Sequence, residues 1–295
     1  MPIKTILVAL ALDDDSEHVA RRAVQLAHQH RATLIGVHVI ESPALHDADM
    51  PLSINAVTLA TMIEAQSTHE LQSLLALQNG SAILHVEPGK AHKVIESVAS
   101  AHSADLIIIG PGVAKGLQER LFGSTADNVI RYASCPVLVV RRDVSAPYRS
   151  IAVGVDFSEH AKAAARWASS LSPAATRELI HASEIPLQFE QAMLKAGTSQ
   201  AEIDNYRNAR AETAQKKIIQ MYGDKGQLPK ATRVSIIRGE PATTLINASR
   251  RKTTDLVALG TQGTNAIVQH IIGSVARQVL NGAGCDVLMV SAAIQ

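Results

Sequence analysis

The chain of 295 residues carries 28 Lys and Arg against 27 Asp and Glu, a net charge of +1, so charge alone draws it neither onto nucleic acid nor onto an anionic membrane. Its 46% hydrophobic and 19% charged residues are a globular balance, and 3% aromatics are too few for a single-strand stacking platform. Two cysteines outside any CxxC pair, Cys135 and Cys285, exclude a disulfide scaffold and a Cys-rich zinc module, and apolar runs such as Leu106–Ile109 fall far short of the ~20 residues of a membrane helix.

In chain order, Thr5–Leu10 reads as a first strand. Lys4 and the apolar residues to Leu12 imitate a short signal peptide, but Asp13, Asp14 and Asp15 follow at once and a similar strand recurs at Ile151. A cytoplasmic protein is the expectation, with neither membrane nor nucleic acid as partner. The first helix ends at His28-Gln29-His30, and strands follow at Thr33–Ile40, Ile83–Val86, Asp105–Ile109 and Pro136–Val140. Beyond them, Ile151–Val155 is a strand and Ser158–Leu171 a helix with Ala161, Ala164, Ala165, Trp167 and Ala168 on one face. Glu178–Ala182 is a strand, Ala192–Met221 a helix broken near Gly197, and Arg233–Ile237 a strand. Pro241–Arg250 is a helix with Pro where its missing N–H costs little, Asp255–Leu259 a strand, Ser274–Asn281 a helix and Asp286–Val290 the last strand.

The second series repeats the first. At an offset of 150, Asp105–Gly110 matches Asp255–Gly260, Gly89 matches Gly239, Gly123-Ser124 matches Gly273-Ser274, and Cys135 with Val137–Val140 matches Cys285 with Val287–Val290. Near the starts, Ser16-Glu17-His18 corresponds to Ser158-Glu159-His160 at an offset of 142. Two homologous domains are therefore expected, residues 1–146 and 147–295. Strands apolar on both faces and separated by helices predict parallel sheets covered on both sides, whose ligands bind at the carboxyl ends of the strands.

The fourth strand of the second copy runs into Gly260-Thr261-Gln262-Gly263, then nine residues, then Gly273-Ser274 at the start of a helix. Glycines admit a ligand close to the backbone, Ser274 is placed to cap the helix, and the first-turn N–H groups form an anion site. The pattern is neither a P-loop nor GxGxxG. On spacing alone, turn and capping glycines explain it as well as a binding site does.

Gly260-x₂-Gly263-x₉-Gly273-Ser274 is similar to the G-x₂-G-x₉-G-[ST] nucleotide motif of the universal stress protein family. Both copies also resemble that family in the first strand, in the Gly before the third helix and in the Cys-x-Val-Leu-x-Val ending; the regions 41–80 and 184–230 do not. The whole chain looks like a tandem of two such domains. The resemblance implies two flavodoxin-like (Rossmann-like) α/β domains, each a five-stranded parallel sheet with helices on both faces. It implies binding of ATP or another adenine nucleotide, dimers through the last strand, and here an intramolecular pseudo-dimer, with a homodimer of chains and an unidentified protein partner left open. Carried over, Asp156 faces ribose or adenine, Ala182 and Leu259 line the base, and Gly260, Gly263, Gly273, Ser274 and Val275 hold ribose and phosphates. Asp156 is equally suited to cap the helix beginning near Ser158.

The first copy departs from the motif: Val113 stands at the second glycine of Gly110-Pro111-Gly112-Val113, although Gly123 and Ser124 remain. A branched side chain there narrows the pocket, with Gly112 a substitute if the loop shifts by one residue, Lys115 a source of charge, and Asp13 the acid after strand one. Weaker or absent nucleotide binding is expected in this copy. In the second copy no Lys or Arg lies between Lys252 and Arg277, where Thr264 and Asn265 stand instead. Helix dipole and amides offset only part of a triphosphate's charge, so the expectation is modest affinity dependent on Mg²⁺.

For chemistry, Asp255 begins its strand some 16 Å from the loop at ~3.3 Å per residue, too far to act as a base; His270 in the loop is within reach of a phosphate but reads better as a solvent-facing or capping residue, and no complete set of metal-holding acids, water-positioning group and cationic clamp for phosphoryl transfer is found. The reading is a stress-response or signalling module without efficient catalysis. The alternatives are a slow ATP hydrolase and a nucleotide-independent interaction scaffold, for which Met50–Leu77 offers an apolar surface. His38 and His181, at the ends of the second strands, read as packed or hydrogen-bonded, and His85, His92 and His102 as scattered; no spacing predicts a metal site.

Overall fold

The computed structural model describes residues 2–41, 56–76, 82–112, 123–143, 146–224, 227–263 and 271–292. Val113, Lys115, Thr264, Asn265, His270 and both ends of the Met50–Leu77 segment lie outside them. The chain divides into one unit of residues 1–147 with Asp286–Met289 and another of residues 148–285 with Val290–Ala293.

The first unit alternates β1 (Thr5–Ala9), α1 (Ser16–His30), β2 (Thr33–Ile40), α2 (Ala56–Leu74), β3 (Ile83–Pro88), α3 (Ala91–Ala101), β4 (Leu106–Ile109), α4 (Ser124–Tyr132) and β5 (Val137–Val139). Its strands lie in the order β3-β2-β1-β4-β5, every neighbouring pair parallel. Ile6, Leu7 and Val8 are fully buried, as are Leu106 and Ile108, because α1 and its neighbours cover the sheet. The order reverses between β1 and β4, and the crevice at that switch opens at the carboxyl ends.

The second unit runs β6 (Ser150–Gly154), α5 (Glu159–Leu171), β7 (Thr176–Ser183), α6 (Leu187–Lys195), α7 (Gln200–Tyr222), β8 (Thr232–Arg238), α8 (Pro241–Ser249), β9 (Leu256–Gly260) and α9 (Ser274–Gly282). Strands β9-β6-β7-β8 are again parallel, with the switch between β6 and β9. Buried Ala161, Ala163, Ala164 and Ala168 let α5 lie close on the sheet, with Trp167 filling the wider space. The long helical stretch is interrupted at Gly197, and α7 restarts from a capping box of Ser199 and Glu202.

The fold class matches the expectation with one difference. The last strand, β10 (Asp286–Val290), is divided between the units, and Val287–Met289 run antiparallel to Val139–Val137 within the first. Buried Arg22 and Asp286 pair there at 3.5 Å, and Asp286 also accepts from the backbone N–H groups of Arg141 and Arg142.

Candidate functional site

In the second unit, β6, β7 and β9 end around a cavity of 230 Å³ lined by Asp156, Ala182, Leu259, Gly260, Gly263, Gly273, Ser274 and Val275, together with Thr261, Gln262 and His181. All eight residues singled out in sequence thus meet in one place. Asp156 follows β6. Its Oδ1 accepts from the Ser158 N–H at 3.0 Å and the Ser158 hydroxyl at 2.6 Å, and Ser158, not Asp156, caps α5 by accepting from Ala161 N–H.

Two glycines of the motif are required by close approach. A Cβ on Gly263 would sit 2.9 Å from Asp156 Oδ2, and one on Gly260 would sit 2.5 Å from His160 Cβ. Gly263 does not have a positive φ, so its requirement comes from the facing carboxylate rather than from backbone conformation.

Gly273, not Ser274, is the N-cap of α9, and no side chain caps that helix. The Gly273 N–H donates to Thr261 O at 2.8 Å, folding the far end of the loop back onto the strand exit. Ser274, Val275 and Ala276 thereby present first-turn amides toward the cavity mouth, a geometry suited to an anion. Among the described lining residues Asp156 is the one carboxylate, and there is no Lys or Arg.

The first unit has a cavity of 530 Å³ at the equivalent place, lined by Asp13, Gly110, Gly112, Gly123 and Ser124, all five sequence candidates. It is the larger of the two as lined by the described residues, and Val113, on which the expected narrowing rests, lies outside them. The register sets which residues face the cavity. Thr5 and Ser150 both begin the first strand, Leu10 and Val155 both donate to the second strand, and Leu12 and Phe157 share a left-handed φ of 59° and 66°. Ala11 therefore takes the place of Asp156, and Asp13-Asp14-Asp15 is the insertion that changes the offset before Ser16. Asp13 does line the cavity, but its Oδ1 is engaged by the Ser16 hydroxyl at 3.0 Å. Asp15 and Glu41 join it in the lining, again with no Lys or Arg among the described residues. The bond from Gly123 N–H to Pro111 O, 3.2 Å, matches that from Gly273 to Thr261, so the described ends of the loop keep the offset of 150.

Histidines line both cavities in the same way. His38 Nδ1 lies 2.9 Å from Leu10 O, and His181 Nδ1 lies 2.7 Å from Val155 O. Their place at the second-strand ends was legible in sequence; that each ring meets the carbonyl just past the first strand was not, because it depends on where the first strand stops. His160 was missed as well. Its Nδ1 accepts from Ala292 N–H at 3.0 Å and sits 3.2 Å from Thr261 Oγ1, and burial lowers its pKa against the pull of Asp156.

The other sequence candidates serve elsewhere. Asp255 Oδ2 accepts from the N–H groups of Arg149 and Ser150 at 2.7 and 3.0 Å, and Asp105 Oδ2 does the same for Lys4 and Thr5 at 2.7 and 2.9 Å. His85 and His102 are not scattered: their Nε2 atoms lie 3.0 Å apart. Among the described residues no group of three or more His, Cys, Asp or Glu is placed to hold a metal, and no helix is long and apolar enough to cross a membrane. Cys135 and Cys285 are buried free thiols, and burial pushes that of Cys135 up to about 12.

A model of the universal stress protein family matches residues 2–141 and again 147–291. The "Universal stress protein A homolog 1" of Coxiella burnetii is 34% identical over 142 residues, covering 48% of this chain and 97% of that protein. A universal stress protein structure from Archaeoglobus fulgidus covers 98% of both chains at a TM-score of 0.65 and 16% identity. A functionally unknown protein from Pseudomonas aeruginosa covers 98% of this chain and 92% of its own at a TM-score of 0.64 and 18% identity. At those identities the two structures speak for the fold alone.

Proposed function

We propose a function on one premise: this chain belongs to the universal stress protein family. Its C-terminal repeat binds ATP or another adenine nucleotide, and the protein acts in the cytoplasm as a stress-response or signalling module without efficient catalysis. The observation that carries this reading is the convergence of Asp156, Ala182, Leu259, Gly260, Gly263, Gly273, Ser274 and Val275 on one cavity beside the uncapped first turn of α9. The apolar wall of Ala182 and Leu259 suits a base, Asp156 a ribose hydroxyl or base N–H, and the amides of Ser274 and Val275 the phosphates. Without Lys or Arg among the described lining residues, the phosphate charge calls for Mg²⁺ brought with the nucleotide.

The first repeat is the weaker binder on grounds of charge rather than size: Asp13, Asp15 and Glu41 oppose a polyphosphate, and Ala11 offers no acceptor where the other copy has Asp156. The two repeats form an intramolecular pseudo-dimer on this reading. A single carboxylate and no cationic clamp among the described lining residues support binding over turnover. Calorimetric titration with ATP, with and without Mg²⁺, tests the reading: saturable heat that falls at least about tenfold in affinity in Gly263→Val supports it, and no heat with no thermal shift defeats it.

A second reading, contact with a protein partner, has its own observation: α6 buries none of its residues and exposes Leu187, Phe189 and Leu194. Denaturing the purified protein and finding no released adenine nucleotide would favour it.

A further inference from the structure

We propose that His85 and His102 of the first repeat form a site for one imidazole-seeking divalent cation, Zn²⁺, Ni²⁺ or Cu²⁺. Neither residue is among those lining the two cavities, and the inference does not depend on the nucleotide reading.

His85 lies within the edge strand β3, and His102 is the C-cap of α3, its N–H donating to Val98 O. Their Nε2 atoms meet at 3.0 Å and their ring centroids lie 5.0 Å apart, with 72° between the planes. Two metal–nitrogen bonds of about 2.05 Å set the nitrogens roughly 2.9 Å apart at a right angle and roughly 3.4 Å apart at the tetrahedral angle. Ring centres placed on the same lines, about 1.15 Å behind each nitrogen, come out roughly 4.5 and 5.2 Å apart. Both observed distances fall inside these ranges. Small turns about the soft χ2 torsions, without any separation of β3 from α3, therefore bring both lone pairs onto one ion.

The far side of His85 is prepared for this role. Glu87, two residues along β3 and so on the same face, places Oε1 3.4 Å from His85 Nδ1. A carboxylate there holds the ring proton on Nδ1 and leaves the Nε2 lone pair for the ion, as second-shell carboxylates do for ligating histidines. The His85 side chain is 27% exposed, so an ion reaches it from solvent. Among the described residues no third His, Cys, Asp or Glu completes a cluster, so water fills the remaining positions and binding is weaker than at a closed structural site. Two imidazoles select against Mg²⁺ and Ca²⁺, which take oxygen. The second repeat lacks the pair. His85 stands opposite Val37 as Ser235 stands opposite Ile180, and the same offset of 150 puts Lys252 in the place of His102. The site thus belongs to this repeat and not to the shared fold.

The test is titration of the full chain with Zn²⁺, followed by calorimetry and by long-range ¹H–¹⁵N spectra of the histidine rings. In wild type two imidazoles should respond together, saturate at one ion per chain and recover on addition of EDTA. His85→Ala and His102→Ala should each lower the affinity at least about tenfold, and the double variant should fall no further than either single variant, because one ion is shared. Thermal melts without metal establish that the variants are folded. A wild type in which no two imidazoles respond together overturns the proposal without any variant. So does Zn²⁺ affinity that stays within about twofold in the folded single variants, which places the ion on other histidines such as His28 or His30. Losses that add in the double variant also overturn it, since they mean two independent sites.

Discussion

Gly263 and Asp156 compete for the same few ångströms, since a Cβ at position 263 would lie 2.9 Å from Asp156 Oδ2. The first repeat exchanges both partners, with Val113 in sequence at the glycine position and Ala11 at the acid position. The two sites are thus coupled, and a double-mutant cycle should show it. Gly263→Ala is expected to lower stability by about 1 kcal/mol and to weaken ATP binding; because Asp156→Ala by itself loses the two bonds from Ser158, the double variant should be less destabilised than the sum of the single variants and still bind weakly. Thermal melts and calorimetry on the three variants report both quantities. His160 makes a prediction of opposite character, about pH. Burial holds its folded pKa below the ordinary imidazole value, so on acidification the unfolded chain takes up the proton first. Stability therefore falls as pH drops below about 6.5. Tm measured from pH 7.5 down to 5.5 should decline, and less steeply in His160→Asn, whose amide oxygen can accept from Ala292 N–H in place of Nδ1.

At the scale of elements, the strands are secured at their starts as well as along their lengths. Asp255 and Asp105 each accept two backbone N–H groups from the residues that open the neighbouring first strand. Hydrogen bonds to a charged acceptor contribute about 1.5–3 kcal/mol each at most, and removing a shared acceptor leaves two donors to find water. Asp255→Ala should cost about 2 kcal/mol in urea unfolding and leave ATP affinity within a factor of about two. A large loss of affinity with unchanged stability would return this residue to the site. The edge pair β7–β8 has a comparable tie, Glu178 accepting from the Ser235 hydroxyl at 2.6 Å and from Arg233 and Arg251 at 2.8 and 3.0 Å. Burial alone would raise the Glu178 pKa, but these donors outweigh it and hold the carboxyl below its usual range.

For the whole molecule, the duplicated sequence produced two cavities at equivalent places with different linings. Among the described lining residues the second, smaller cavity has one carboxylate, and the first, larger one has Asp13, Asp15 and Glu41. One nucleotide per chain is the expected stoichiometry. Native mass spectrometry should show a single adenine-nucleotide increment on each chain, abolished by Gly263→Val, and two increments would contradict the charge argument for the first repeat.

The strands, the repeat and the loop glycines of the cavity were legible because each is a local signal: apolar runs, a constant offset of 150, and side-chain-free positions at fixed spacing. The break at Gly197 was legible for the same reason. What sequence could not decide was register across the sheet. Only the paired strands show that Leu10 and Val155 are equivalent, which puts Ala11 rather than Asp13 opposite Asp156 and makes the aspartate triplet an insertion. Only the fold brings His160 under Gly260, sets His181 against the carbonyl of Val155, and assigns Asp286–Met289 to the first unit. Such relations join residues from 26 to 145 positions apart, or turn on a loop three residues longer in one copy, and no periodicity within a single segment encodes them.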